Sequence, residues 1–253
     1  KSRDHTENML LVNSKAILIK KQSKKKIIKI SGKAQLNPID IRVPGDPSSA
    51  AFFVALTLLN KNSSLKIKNV GLNKTRLGFY DILKKQRAKI KFKNLKKINN
   101  EIRGDIIVNS CKIKPINVNK SFYVSSTDEY PILFVMAALA NGISSFKGIG
   151  DLVNKESNRI AEMQKVLRQI GVKSKFSNGT LNIYGKGNID ASNKKINVPN
   201  LGDHRICMSS FILAILTGAK LSIKNFETVY TSSPSFLKII KSLGVKFEIK
   251  KKS

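Results

Sequence analysis

The sequence predicts an α/β domain built from three repeated units, and three observations lead to this fold class. One order of elements recurs three times, and each copy starts at an aspartate: Asp46, Asp128 and Asp203. Each aspartate opens a run that is apolar nearly all round, as expected of a helix buried on every side. A short alternating strand and an amphipathic helix follow each run. Because one such unit cannot bury its apolar faces alone, the three are expected to share a core.

The 45 residues before the first unit have a different organisation. Ser2–Asn13 is predicted to be a helix, residues 16–30 to be two short strands joined by a basic turn, and Pro38–Gly45 to be a linker. This order resembles the tail of a fourth unit. The sequence therefore predicts one α/β domain at 46–253, with units at about 46–120, 121–198 and 199–253, preceded by a different segment at 1–45.

The amphipathic helix is clearest in the second copy, where apolar residues recur at helical spacing from Ile160 to Ile170. Gly171 and Gly244 follow this helix in the second and third copies, at the position of a left-handed C-cap. Arg87 occupies the same position in the first copy. A final strand is predicted to close each copy.

The composition indicates which partners to expect. The chain has 47 basic and 16 acidic residues, a formal net charge of +31, which is one property of a nucleic-acid-binding module. Only eight of the basic residues are arginine, however, and the lysines are spread over every segment. We therefore favour compositional drift in an AT-rich genome over a nucleic-acid-binding face. The positive field would still attract anionic substrates.

Several classes of protein are disfavoured by the remaining composition. Cys111 and Cys207 are too few and too far apart for a disulfide framework, and with only His5 and His204 a zinc site is not expected. No charged leader precedes an apolar core, and no apolar run is long enough to span a bilayer. The sequence therefore predicts a cytoplasmic protein without a membrane segment.

The three aspartates have a structural explanation as well as a catalytic one. Aspartate is a favoured N-cap, because its carboxylate accepts the free N–H groups of the first helical turn. We favour simple capping for Asp46 and Asp203. The same explanation applies to Asp128, so spacing alone does not identify it as a catalytic base.

The basic residues at helix starts indicate anion binding. Lys155, Glu156 and Arg159 can share one side of a helix start, either as an exposed ion-paired turn or as a phosphate site. Arg205 falls in the first turn of a buried helix, where an unpaired charge would be expensive. Arg3 occupies a comparable position. In a lysine-rich chain, the few arginines are candidates for gripping phosphate or carboxylate through two bonds.

Five segments resemble successive signatures of the 5-enolpyruvylshikimate-3-phosphate (EPSP) synthase family. They occur in the family's order and extend over nearly the whole chain. One such match would be weak, whereas five in register are specific. The segments are residues 2–7 (SRDHTE), 43–53 (VPGDPSSAAFF), 127–133 (TDEYPIL), 155–160 (KESNRI) and 202–208 (GDHRICM).

The resemblance implies an enolpyruvyl transferase-like fold, in which each of two domains contains three βαβαββ units with buried parallel helices. It implies that residues 46–253 are the complete second domain and that residues 1–45 are the end of the first domain with the crossover. The family transfers the enolpyruvyl group of phosphoenolpyruvate to the 5-hydroxyl of shikimate 3-phosphate and releases phosphate, in the shikimate pathway to aromatic amino acids. It uses no metal and no organic cofactor. The resemblance further implies a cytoplasmic protein that is a monomer at full length.

The resemblance also implies roles for single residues in catalysis. Asp128 matches the carboxylate assigned as proton acceptor from the 5-hydroxyl, and Glu156 matches a second carboxylate implicated in proton transfer. Asp46 lies at the crossover between domains and is expected to be structural.

Four further residues match positions that bind the substrates, and a fifth is expected to support one of those positions. Lys155 and Arg3 match positions at shikimate 3-phosphate, while Arg159 and Arg205 match arginines that hold phosphoenolpyruvate. His204 is expected to support the phosphoenolpyruvate site.

The chain departs from the family pattern in ways that bear on activity. Thr231 stands where some members have a further phosphate-binding lysine. The family's N-terminal phosphate loop and one more phosphoenolpyruvate arginine are not found in it, so we expect no appreciable turnover from this polypeptide alone. Two alternatives stay open: the sibling enolpyruvyl transferase that acts on UDP-N-acetylglucosamine, and a basic nucleic-acid-binding module.

Overall fold

The computed structural model describes residues 3–12, 16–23 and 25–249. Within these ranges the α-helices are His5–Leu10 (α1), Pro47–Leu59 (α2), Gly78–Lys85 (α3), Tyr123–Ser126 (α4), Tyr130–Ala138 (α5), Arg159–Gln169 (α6), His204–Thr217 (α7) and Phe236–Ser242 (α8). The strands are Ile17–Gln22 (β1), Lys25–Ile30 (β2), Ser64–Gly71 (β3), Ile90–Ile98 (β4), Glu101–Asn109 (β5), Asn117–Val118 (β6), Asn141–Lys147 (β7), Lys173–Ser177 (β8), Thr180–Lys186 (β9), Lys195–Val198 (β10) and Lys220–Ile223 (β11).

The N-terminal segment contains the predicted helix and hairpin. Helix α1 lies inside the predicted range, whose ends Ser2 and Asn13 are outside the described residues. Strands β1 and β2 pair antiparallel from Ile17↔Ile30, and Lys24 in their basic turn is also outside the described residues. The linker that follows contains no helix or strand before Gly45, which forms one parallel bridge to the first unit.

Three buried helices form the centre of the core, as the apolar runs predict. Helices α2, α5 and α7 pack against one another in every pair, and every residue of α5 is buried. Such a helix presents no polar side to solvent, so it is stable only when other elements enclose it. The sheets, together with the amphipathic helices α3, α6 and α8, supply that enclosure, and the predicted mixed α/β fold is confirmed.

The second unit contains all six elements of a βαβαββ repeat. Strands β6, β7, β9 and β8 form one sheet in that order, and α5 and α6 fall between them in the chain. The first unit has a three-stranded sheet in the order β3-β5-β4. The third has the parallel pair β10-β11, and the described residues after α8 form no strand, so the predicted closing strand is not seen there.

The residues after the amphipathic helices have the predicted left-handed conformation. Gly171 and Gly244 have φ of 81° and 87°, and Arg87 has φ of 61° in the first unit. An arginine in this region is strained relative to glycine, because its Cβ crowds the backbone. The same turn is therefore made in all three units, with a less suitable residue in one of them.

Two kinds of feature are absent from residues 3–12, 16–23 and 25–249. None of the helices there combines the length and the apolar character needed to cross a bilayer. Nor do three or more histidine, cysteine or acidic side chains gather there in a way that could hold a metal ion.

Candidate active site

Helices α2 and α7 each begin at an aspartate that caps the helix. The carboxylate of Asp46 accepts a hydrogen bond from Ser49 N at 2.8 Å. Asp203 accepts bonds from the N–H groups of Arg205 and Ile206 at 2.9 and 3.4 Å. Both aspartates have the extended backbone that a capping residue needs. The prediction that they cap their helices is confirmed.

Asp128 does not cap α5. Glu129 occupies the N-cap position, and its side chain makes no capping bond. Thr127, the residue before Asp128, has helical backbone angles. The carboxylate of Asp128 instead accepts a hydrogen bond from Nη2 of Arg3, and its Oδ1 lies 3.8 Å from Nη1 of Arg159. This carboxylate is therefore held by guanidinium groups and not by the backbone of its own helix.

Arg159 is a completely buried arginine surrounded by carboxylates. Its Nη2 donates to Oε2 of Glu156 at 2.6 Å, and its Nε donates to Oδ2 of Asp203 at 3.0 Å. With Asp128 as a third neighbour, the buried charge is well compensated. An exposed ion-paired turn is therefore excluded for Arg159, although the side chain of Glu156 remains about half exposed.

Arg205 is the opposite case, a buried arginine whose recorded contact among the described residues is the ring of Phe52, 6.0 Å from its guanidinium carbon, and not a carboxylate. Its side chain is in the first turn of α7 and the residue is 7% exposed. Among the described residues, no group forms a hydrogen bond or ion pair with its guanidinium, and Nε and Nη1 are both buried. The buried Nε2 of His204 likewise lacks a partner there. Burial, and then the charge of Arg205, lower the pKa of His204, which favours a neutral imidazole.

Lys155 lies at the edge of this cluster. Its Nζ is 3.4 Å from Oδ2 of Asp151, and the hydroxyl of Tyr123 donates to the same oxygen at 2.7 Å. Burial raises the pKa of Tyr123 to about 12, so the phenol stays protonated at neutral pH. A lysine held by one exposed aspartate can exchange that partner for a phosphate group.

The pKa of Asp128 results from opposing influences. Burial raises it, but the charge of Arg205 and the hydrogen bond and charge of Arg3 together lower it further than burial raises it. The net pKa lies below the ordinary value for aspartate, so Asp128 is ionised at neutral pH. An ionised carboxylate can accept a proton.

Glu129 is a second acid at the same helix start, and it behaves differently. The residue is 4% exposed, and burial is the main reason that its pKa rises to about 7. The charge of Asp128 raises it further, while a hydrogen bond with Ser48 and the charges of Arg205 and Arg76 oppose the rise. Near neutral pH this carboxyl group is therefore divided between its protonated and ionised forms.

All seven residues that the sequence indicated as site residues occur in this region: Arg3, Asp128, Lys155, Glu156, Arg159, His204 and Arg205. Glu129, Ser48 and Tyr123 were not predicted. A signal for Glu129 was present in the sequence, since two adjacent acids at the start of a buried helix rarely both serve as caps. The contributions of Ser48 and Tyr123 depend on packing between units, which the sequence does not reveal.

Comparison with known proteins identifies the family. The sequence profile of EPSP synthase (3-phosphoshikimate 1-carboxyvinyltransferase) matches residues 1–240. The chain belongs to the EPSP synthase family. A 3-phosphoshikimate 1-carboxyvinyltransferase of Zymomonas mobilis is 37% identical over 250 residues, which are 98% of this chain and 55% of the relative. One from Bacillus subtilis is 34% identical over 97% of this chain and 56% of its own length.

Solved structures agree with this assignment. An EPSP synthase from Acinetobacter baumannii superimposes with a TM-score of 0.86 at 30% identity, over 99% of this chain and 56% of that one. The enolpyruvyl transferase NikO from Streptomyces tendae has a TM-score of 0.75 at 12% identity, a likeness of fold alone. The chain spans about half the length of the EPSP synthases it matches.

Proposed function

We propose that this chain is part of an enzyme that transfers the enolpyruvyl group of phosphoenolpyruvate to the 5-hydroxyl of shikimate 3-phosphate. Membership of the EPSP synthase family supports the reaction class. We further propose that residues 46–253 are one domain and residues 1–45 the end of another. In this proposal the whole enzyme is a cytoplasmic monomer, and the half of the relatives that the chain does not match corresponds to a region that completes the site.

The observation that carries the proposal is the guanidinium of Arg205, which lies near the ionised Asp128 and has no hydrogen bond or salt bridge among the described residues. A buried cation without a partner is costly unless an anion joins it. A carboxylate or phosphate can do so through two parallel bonds. We assign Arg205 and Arg159 to phosphoenolpyruvate, with His204 in support. Arg205 offers free donors, whereas Arg159 would first exchange one of its carboxylate partners.

The remaining residues suit the second substrate and the proton transfers. Arg3 and Lys155 are each held by an aspartate and lie where a shikimate 3-phosphate could replace it. Asp128 would accept the proton of the 5-hydroxyl as that oxygen bonds to C2 of phosphoenolpyruvate. Glu156 would take part in delivering a proton to C3. The resulting tetrahedral intermediate then loses that proton and phosphate, which restores the enol double bond.

Substrate binding itself would strengthen the proposed base. The cations Arg205 and Arg3 lower the pKa of Asp128 in the free protein. A bound phosphate or carboxylate would neutralise part of their charge, and burial would then raise this pKa toward the operating pH. The base would therefore be most effective when both anions are in place.

Titration of the 253-residue chain with phosphoenolpyruvate, followed by NMR amide shifts, tests the binding site. Residues 204–206 should show saturable shifts, and Arg205→Met should weaken binding at least about tenfold, since a charge-assisted bidentate contact is lost. Arg168→Met makes the same change at an exposed arginine of α6 and should bind as the unmodified chain does. Equal affinity in all three proteins would contradict the assignment of Arg205.

Complementation tests the reaction. The chain is mixed with the part of the Zymomonas mobilis relative that it does not match, and phosphate release is measured with each acceptor. We expect release with shikimate 3-phosphate, reduced by roughly 10²- to 10⁴-fold in Asp128→Asn, as for loss of a general base. Release with UDP-N-acetylglucosamine alone would instead identify the sibling transferase.

A further inference from the structure

None of the seven residues assigned to the candidate active site lines the cavity that carries this inference. It has a volume of about 360 Å³ and is lined by α1, residues 41–47 and the strand ends at one end of the first unit's sheet. This volume is within the range of about 300–1,000 Å³ found for small-molecule sites. None of the carboxylates proposed to transfer protons lines it. It is therefore a separate candidate site.

Arg103 of β5 lines this cavity and has no partner. The residue is 9% exposed, and its Nε is buried. Within residues 3–12, 16–23 and 25–249, no hydrogen bond or ion pair reaches its guanidinium. Arg103 thus shares with Arg205 the combination of burial and unfilled donors, whereas the buried Arg159 is paired with carboxylates. The buried and unfilled Nε of Arg103 is a donor that an anionic ligand could satisfy.

The neighbouring carboxylates are already engaged. Glu101 and Asp105 are two residues away from Arg103 on either side along β5. Oε1 of Glu101 lies 2.9 Å from Nδ1 of His5, and Oδ2 of Asp105 lies 3.2 Å from Nζ of Lys66. They moderate the positive charge without filling the donors of Arg103. Their presence disfavours a dianion, so a monoanion fits the site better.

The rest of the wall indicates an apolar body on the ligand. Large aliphatic side chains line the cavity from three different segments, and four of them are more than a third exposed: Met9, Ile41, Val43 and Ile98. Two arginines also line the cavity, Arg103 and the ion-paired Arg76. Apolar side chains gathered around cationic groups are typical of a site for an amphipathic molecule. Burying them against a ligand would remove their surface from water.

We propose that this cavity binds a small organic monoanion with an apolar body, whose carboxylate pairs with the guanidinium of Arg103. A carboxylate matches the planar fork of arginine through two parallel N–H bonds. The ligand would contact α1 on one side and β5 on the other, and so would hold the N-terminal segment against the first unit. The proposal does not depend on the proposed transferase activity.

Benzoate is a suitable probe, because it joins one carboxylate to one apolar ring. In a titration of the ¹⁵N-labelled 253-residue chain, the amide signals of residues 71 and 101–103 should shift and saturate. Benzyl alcohol, which keeps the ring and lacks the charge, should bind at least about tenfold more weakly. Arg103→Met should weaken benzoate binding by a similar factor.

A matched variant and a stability measurement complete the test. Arg42→Met makes the same change at an exposed arginine beside the cavity, and should leave benzoate affinity unchanged. Arg103→Met should melt at the same or a higher temperature, since it removes an unpaired buried charge. Unchanged affinity in Arg103→Met, or benzoate shifts at residues 204–206 in place of 101–103, would overturn the proposal. A lower melting temperature would do so as well, because Arg103 would then be structural.

Discussion

The starts of α2 and α5 carry the same residue type in two different environments. At α2, Asp46 accepts from its own helix through Ser49 N and from the side chain of Arg76 at 2.6 Å. At α5, Asp128 makes no bond to its own helix and is held by arginines from other segments. The carboxylate of Asp46 therefore accepts a hydrogen bond from the backbone of its own helix, whereas the carboxylate of Asp128 is held by side chains.

This difference shows how an aspartate that caps a helix can be distinguished from one whose carboxylate can interact with a substrate. A cap needs an extended backbone, so that its carboxylate can reach the N–H groups of the first turn. Asp46 has that conformation, whereas α4 and Thr127 continue a helical path up to α5. Asp128 therefore remains free to exchange its cationic partners when an anionic substrate binds. Asp203 combines the two situations, because it caps α7 and also pairs with Arg159.

The largest effect is expected at Asp203, where both functions are lost together. Asp203→Ala removes a cap and leaves the fully buried Arg159 with one partner fewer, so we expect a loss of about 3–5 kcal/mol in the free energy of unfolding. Urea denaturation measures it. Asp40→Ala changes an exposed aspartate of the linker and should stay within about 0.5 kcal/mol. Similar losses in both variants would mean that the Asp203–Arg159 pair is not stabilising.

The second largest effect is the pH dependence of the free energy of unfolding, which has the opposite sign for Glu129 and Asp128. Glu129 has an ordinary pKa of 4.5 and a pKa of about 7 in the folded protein. Between these values the folded state binds more protons than the unfolded state, so stability falls as pH rises and levels off above 7. The shift corresponds to about 3 kcal/mol between pH 4.5 and 8.

Glu129→Gln should abolish this fall, because glutamine does not ionise. Urea denaturation of both proteins across that pH range measures the difference. Glu227→Gln, at an exposed position, should keep the pH dependence of the unmodified chain. If Glu129→Gln also keeps it, burial does not raise the pKa of Glu129.

A smaller effect is expected at the start of α2. Asp46→Ala should cost about 1–2 kcal/mol, of which about 1 kcal/mol is the lost cap and the rest the partly exposed ion pair with Arg76. Asp46→Asn should recover most of it, since asparagine also caps helices. Chemical denaturation of the two variants measures both values. A large loss with asparagine would place the stabilisation in the ion pair and not in the cap.

The smallest effect on stability is expected at Asp128. Asp128→Asn should change the free energy of unfolding by less than about 1 kcal/mol at pH 7, because Arg159 keeps two other carboxylates and Arg3 is largely exposed. The pKa of Asp128 is lowered on folding, so its contribution is present above its ordinary pKa of 3.8 and is lost as pH falls below it. Denaturation at pH 7 and pH 3 measures this sign. A loss of several kcal/mol would make Asp128 a structural residue.

The sequence predicted the elements that depend on composition alone. Long apolar runs identified α2, α5 and α7, because few environments other than a core accept such helices. The few arginines at helix starts pointed to Arg159 and Arg205 as candidate anion-binding residues, because a buried arginine needs an anionic partner. Both are buried in the structure. Both signals can be recognised in a short stretch of sequence, without knowledge of how the units pack.

The features that sequence could not predict depend on backbone angles and on contacts between units. Whether Asp128 caps α5 is decided by the conformation of the turn before it. The raised pKa of Glu129 results mainly from its burial, and the opposing hydrogen bond comes from Ser48 of another unit. The unpaired state of Arg103 emerges only when the partners of Glu101 and Asp105 are known. Each of these is a property of the tertiary structure.

The carboxylate of Asp203 connects the second and third units, which are consecutive segments of the chain. It caps a helix of the third unit, and it accepts from both Ser157 and Arg159 of the second. If the third unit opened alone, Arg159 would lose this partner while still enclosed by the second. Amide hydrogen exchange in α6 and α7 should therefore follow a single opening event. The amides of the two helices should lose their protection against exchange together.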